Sequence, residues 1–136
     1  MRTLLLVALL MTASCRDDET AQAPEAVTMT QDVLGHYCQM NLAEHDGPKA
    51  QIHLKNNPNP IFFGQESDAL AYLHEPEKTA PVTAIYMSDM ARAESWAEPG
   101  PNNWIEASLA YFVVASDAIG GMGAPEIVPF STTEDA

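Results

Sequence analysis

The sequence predicts an α+β protein built from two related ββαβ modules, the second stopping where its helix is expected to begin. Three observations carry that prediction. Short apolar runs alternate with polar residues between turn signals, one segment has a helical apolar face, and a seven-residue pattern recurs in both halves. Alternation puts every second side chain on one face of a strand, whereas spacings of three and four gather side chains on one face of a helix.

The elements follow in order. "KAQIHLK" (49–55) alternates through Ile52 and Leu54, "NNPNP" is a turn, and "IFF" resumes a strand, so 49–63 is expected to be a hairpin. In "GQESDALAYLHEPEK" the residues Ala69, Leu70 and Leu73 share a helical face, and Pro76 ends it. "VTAIYM" (82–87) is rich in β-branched and aromatic residues and completes the first module. In the second half, "NWIEAS", "AYFVVAS" (110–116) and "EIVPF" are strand candidates, with the glycine-rich turn "DAIGGMGAP" between the last two. "FGQESDA" (63–69) and "FSTTEDA" (130–136) share a phenylalanine and an Asp-Ala pair at the same spacing, which reads as an internal repeat. Ser131 to Glu134 fits a capping box, the signature of a helix start, and the expectation is a second module cut short at that helix.

The N-terminus has a different character. "MRTLLLVALLMTAS" has a basic residue, an apolar run and small residues before Cys15, so residues 1–14 are expected to be a signal peptide. A cysteine directly after the small residues resembles a lipobox, which makes Cys15 the expected lipidation site and membrane anchor. Residues 15–35 are acidic and poor in aromatics, and read as a flexible tether. The folded domain is then expected over 36–136, divided into 36–90 and 91–136. The formal charge of -13 argues against nucleic acid and anionic headgroups as partners.

The chain has 2 cysteines, so a lipidated Cys15 leaves Cys38 without a partner, and a Cys15–Cys38 disulfide is the alternative. An unpaired cysteine in an exported protein calls for a reason, and soft-metal binding is one. Thiolate and thioether together select Cu(I), and imidazole can complete the set. Cys38 and Met40 stand two apart, so on a strand both would project to one face, with His45 or His36 able to supply nitrogen. Met90 lies just beyond a strand end, and Met122 in a glycine-flanked loop where core packing does not account for it. Zinc fits less well, because no CxxC-type spacing is present.

The stretches "YCQMNLAEHDGPKAQIHLK", "AIYMSDMARAESW", "NWIEASLAYFVVAS" and "GGMGAPEIVPF", in that order, resemble the NosL family of lipoproteins, copper chaperones in nitrous-oxide reductase maturation. Cys38-Gln39-Met40 is similar to the family's cysteine-any-methionine motif, Asp89-Met90 to its aspartate-methionine motif, and Gly121-Met122-Gly123 to its glycine-methionine-glycine loop. The resemblance implies two ββαβ modules and Cu(I) held by Cys38 and Met40, with Met90 closing the site and His45 and Met122 as further donors. It also implies a lipid-anchored protein on the periplasmic side of a bacterial membrane. The copper would pass to a maturation machinery that includes an ABC-transporter-linked periplasmic protein, and so indirectly to nitrous-oxide reductase. Family members continue past the position of Phe130 through another helix and strand. Two other readings stand beside this one. A metal-free docking lipoprotein needs no metal ligands. An enzyme resembling organomercurial lyases needs a second thiolate beside Cys38, with Asp89 or Glu94 as a general acid.

Overall fold

The alternating run forms β1 (Ala50–Leu54), and a turn returns the chain as β2 (Ile61–Phe63). The computed structural model describes residues 22–136, so the expected signal peptide and the lipid site Cys15 lie outside the described residues. β1 and β2 pair antiparallel, Ala50 opposite Phe63 and Ile52 opposite Ile61. α1 (Glu66–His74) follows, and β3 (Val82–Ser88) runs antiparallel along the other side of β1, with Ala50 opposite Met87. β4 (Trp104–Glu106) then adds to β3, giving one sheet in the order β2-β1-β3-β4. The class is α+β with antiparallel sheets, as the sequence predicts. Among the described residues no helix is long and apolar enough to cross a membrane.

The core forms between α1 and one sheet face. Ala50, Ile52 and Leu54 of β1, Phe63 of β2, Ala69 and Tyr72 of α1 and Met87 of β3 make one buried cluster, with Leu70 and Leu73 packed at its margin. Burying each large apolar side chain of this kind contributes about 1.5–3 kcal/mol. The opposite face of β1 departs from expectation. Gln51 and His53 are buried rather than solvated, because the chain before Gly35 lies across them. The Gln51 side-chain amide donates to the Val27 carbonyl at 2.9 Å, and its oxygen accepts the Val27 N–H at 2.8 Å. His53 Nε2 shares that oxygen at 2.9 Å. The Tyr86 hydroxyl donates to the Pro24 carbonyl, and the Met29 N–H to the Pro101 carbonyl, both at 2.8 Å. Met29 is buried against Leu42 and Phe62. The segment expected to be a free tether up to residue 35 is therefore a strap bonded to the sheet from Pro24 onward.

The second half also departs from the two-module expectation. β4 belongs to the first sheet, and β5 (Tyr111–Val113) with β6 (Val128–Phe130) forms a separate two-stranded ladder. β5 is shorter than the run "AYFVVAS" predicts, since Ala115 takes a positive φ of 57° and turns the chain out of line. Phe63 and Phe130 each end a strand, as the repeat requires, but 131–136 form bends and a turn in place of a helix start. Thr132 Oγ1 accepts the Asp135 N–H at 3.2 Å there. The Pro129 carbonyl accepts the Met90 N–H at 2.9 Å, which ties β6 to the end of β3.

Candidate metal centre

The cysteine segment is a loop, not a strand. An isolated bridge between Leu34 and Asn41 closes it, and the Gly35 N–H donates to the Met40 carbonyl at 3.0 Å. At its tip Gln39 takes a positive φ of 55°, which breaks the extended geometry that would have aligned Cys38 with Met40. The Gln39 side chain stabilises this turn by donating to the carbonyls of Gly35 at 3.1 Å and His36 at 2.7 Å. The expectation of two sulfur side chains on one strand face is thus corrected: Cys38 is half-buried and Met40 is exposed on the same turn. The His36 N–H donates to the Phe62 carbonyl at 2.7 Å and docks the loop on β2. The His36 ring, with Tyr37, meets the edges of Phe63 and Tyr72 and covers that end of the core.

Two glycines set where the thiol lies. A Cβ at Gly35 would stand 2.4 Å from Cys38 Sγ, so the sulfur occupies the space a side chain would fill. A Cβ at Gly64, just after β2, would stand 3.2 Å from Met122 Cε, 3.9 Å from Cys38 Sγ and 3.1 Å from Leu42 Cδ2. The thiol and the end of the Met122 side chain therefore converge over one bare stretch of backbone, on a floor provided by buried Leu42. Met122 reaches this point on a tight loop, closed by the Gly120 N–H to the Ala124 carbonyl and the Gly123 N–H to the Gly120 carbonyl, both at 2.9 Å. At Gly121 a Cβ would lie 2.7 Å from the Asp46 carbonyl and 2.9 Å from His45 Cβ, so the loop also abuts the Asp46 backbone and the base of the His45 side chain.

Of the five residues predicted as ligands, the fold brings Cys38 and Met122 together, keeps Met40 on the same loop as Cys38, and places His45 beside the Met122 loop. Met90 comes from a different strand end: it follows β3, which β1 separates from β2, and its N–H donates to the Pro129 carbonyl of β6 at 2.9 Å. Asp89 beside it is buried and accepts the N–H groups of Ala91 at 3.1 Å and Ser131 at 3.0 Å, which is a structural task. Among the described residues no three His, Cys, Asp or Glu side chains gather as an ion-holding group. The candidate side chains that approach one another around Gly64, Cys38 and Met122, both carry sulfur, the donor class that prefers Cu(I). Gly35 and Gly64 leave the room these side chains occupy, and no local sequence signal marks either glycine.

Buried polar groups underlie these loops. Glu66, in the first turn of α1, is fully buried, and burial followed by the charge of Glu126 raises its carboxyl well above the usual range. Glu126 is pushed up to about 6, mainly by burial. Its Oε1 accepts the Glu66 N–H at 3.1 Å and its neighbour Ile127 N–H at 2.9 Å. Burial pulls Lys49 down to about 8, and its ammonium donates to the carbonyls of Asp46 at 3.0 Å and Gly47.

Comparison with known proteins agrees with the donor chemistry. The family model described as NosL matches residues 26–136. The chain is 51% identical over 134 residues to the copper-binding lipoprotein NosL of Achromobacter cycloclastes, covering 98% of this chain and 69% of that protein. It is 29% identical over 132 residues to the protein of the same name from Stutzerimonas stutzeri, covering 97% of this chain and 67% of that one. The crystal structure of the copper chaperone NosL from Shewanella denitrificans superposes with a TM-score of 0.76 at 33% identity, over 82% of each chain.

Proposed function

This chain belongs to the NosL family, and from that premise we propose that it captures Cu(I) outside the cytoplasm and hands it on for assembly of the copper centres of nitrous-oxide reductase. One observation carries the copper reading: Cys38 Sγ and Met122 Cε both lie within 4 Å of where a Gly64 side chain would begin, in a fold whose relatives are named for copper binding. A thiolate and a thioether supply the soft donors Cu(I) prefers. Met40, on the exposed side of the same turn, completes or exchanges the set; His45 and Met90 are the outer candidates. An exposed sulfur at the rim suits a carrier, because cargo leaves by stepwise exchange onto another protein's sulfur ligands. No catalytic step is required. The anchor in this reading is a lipid on Cys15, the location the periplasmic side of the membrane, and the acceptor a transporter-linked maturation protein.

The test is an anaerobic titration of Cu(I) against a coloured competing chelator, on wild type and on Cys38→Ser, Met122→Leu and Met40→Leu. Tight one-to-one binding that falls by a factor of 10 or more in the first two variants is expected, since losing one good ligand is worth at least about 1.4 kcal/mol. A smaller loss is expected for the exposed Met40. Folded wild-type protein that leaves all the copper with the chelator would overturn the reading in favour of a docking lipoprotein.

A further inference from the structure

Glu126 is not one of the candidate ligands, yet it is buried, with 2% of its surface exposed. Burying an acid costs free energy unless its oxygens are used. Gln65, the residue capping the start of α1, makes no side-chain capping bond, and the free N–H groups at a helix start need an acceptor. Glu126 supplies it from the far end of the chain: Oε1 accepts the first N–H of α1, from Glu66, together with the Ile127 N–H. Its second oxygen faces the Met122 loop. A Cβ at Gly120 would stand 2.3 Å from Glu126 Oε2 and 3.3 Å from Gln65 Oε1. Gly120 does not have the positive φ seen at Gly123, so the carboxylate, rather than the turn, is what requires glycine there. The Glu126 N–H closes the same loop on the Ala118 carbonyl at 2.9 Å. One residue therefore links the start of α1, which directly follows Gly64, to the loop that carries Met122.

We propose that Glu126 is a positioning residue for the copper site, bracing the Met122 loop against the start of α1 so that the thioether is held over Gly64 beside Cys38. The proposal rests on the copper reading above. Residues that orient a metal ligand without touching the metal change affinity when lost, and this separates them from general supports of the fold.

The experiment is a double-mutant cycle read by the same Cu(I) competition, with circular dichroism to check folding. Glu126→Leu is expected to weaken binding about 10–100-fold, and Glu126→Gln, which keeps an acceptor oxygen, to restore most of it. In a Met122→Leu background the Glu126→Leu change is expected to cost nothing more, because its effect runs through Met122. Should Glu126→Leu fail to fold, Gly120→Ala presses on the same carboxylate from the other side and replaces it in the cycle. Full, undiminished loss in the Met122→Leu background overturns the brace and makes Glu126 a plain helix cap. So does wild-type affinity in a folded Glu126→Leu protein. Wild type that binds no Cu(I) is a separate result, which removes the copper reading and this proposal with it.

Discussion

Cys38 shows how little of a site a residue type discloses by itself. Its spacing from Met40 was legible, but the face it occupies was not, because that depends on the positive φ of Gln39, and glutamine gives no such signal. The glycines were equally silent. Gly35 and Gly64 look like ordinary punctuation in the sequence, yet a methyl group would collide with the Cys38 sulfur at the first and press on Leu42 and Met122 at the second. Gly35→Ala puts a carbon where Sγ now sits, 2.4 Å away, and 3.0 Å from Leu42 Cδ2. Overfilling of this kind is expected to destabilise the protein by about 1–3 kcal/mol and to weaken Cu(I) binding as the thiol is displaced. A urea melt and a copper competition on the same sample check both halves. Unchanged values in both would mean that the thiol does not lie over Gly35.

Among the elements, the hairpin, α1 and β3 were readable because periodicity and turn chemistry agree across 49–88. The strap was not. Its residues are acidic and small, so composition points to disorder, and it is long-range contacts, the Gln51 bonds to Val27 foremost, that hold the segment. The period of β1 was legible while the surroundings of its polar face were not. Gln51→Leu removes both bonds to Val27 and leaves that N–H and His53 without their acceptor. The expected loss is about 1–3 kcal/mol, with faster amide exchange in residues 24–30 than in β3. Equal protection of the two segments in wild type and variant would show that Gln51 does not hold the strap. The second half was the hardest to read, since the choice of β4 to join the first sheet depends on pairing with β3, which a local pattern cannot reveal.

For the whole molecule, the buried acids set a pH dependence. The Glu66 and Glu126 carboxyls are both raised from their usual 4.5, Glu126 to about 6. The folded protein therefore keeps protons that the unfolded chain has lost, and stability contributed by these groups falls as pH rises from 4.5. His53, lowered from 6.5 by burial, works in the opposite direction: its contribution is lost as pH falls below 6.5. Comparing wild type with Glu66→Gln separates the two. The urea midpoint of the wild type is expected to drop relative to the variant as pH rises from 4.5. Parallel profiles would mean that Glu66 does not titrate as a buried acid.

The meeting of Cys38 and Met122 over Gly64 also gives copper loading an order in time. The thiol precedes β1 and the thioether follows β5, so only the finished fold brings these two distant stretches of sequence close. An unfolded chain offers Cu(I) single sulfurs of ordinary avidity, so on the proposed function the protein starts empty and fills after folding. The ion in turn stabilises the folded state by mass action. Scarce metal would then determine how long an idle carrier survives the proteases around it, and starvation for copper would thin the carrier population without any regulator of its synthesis.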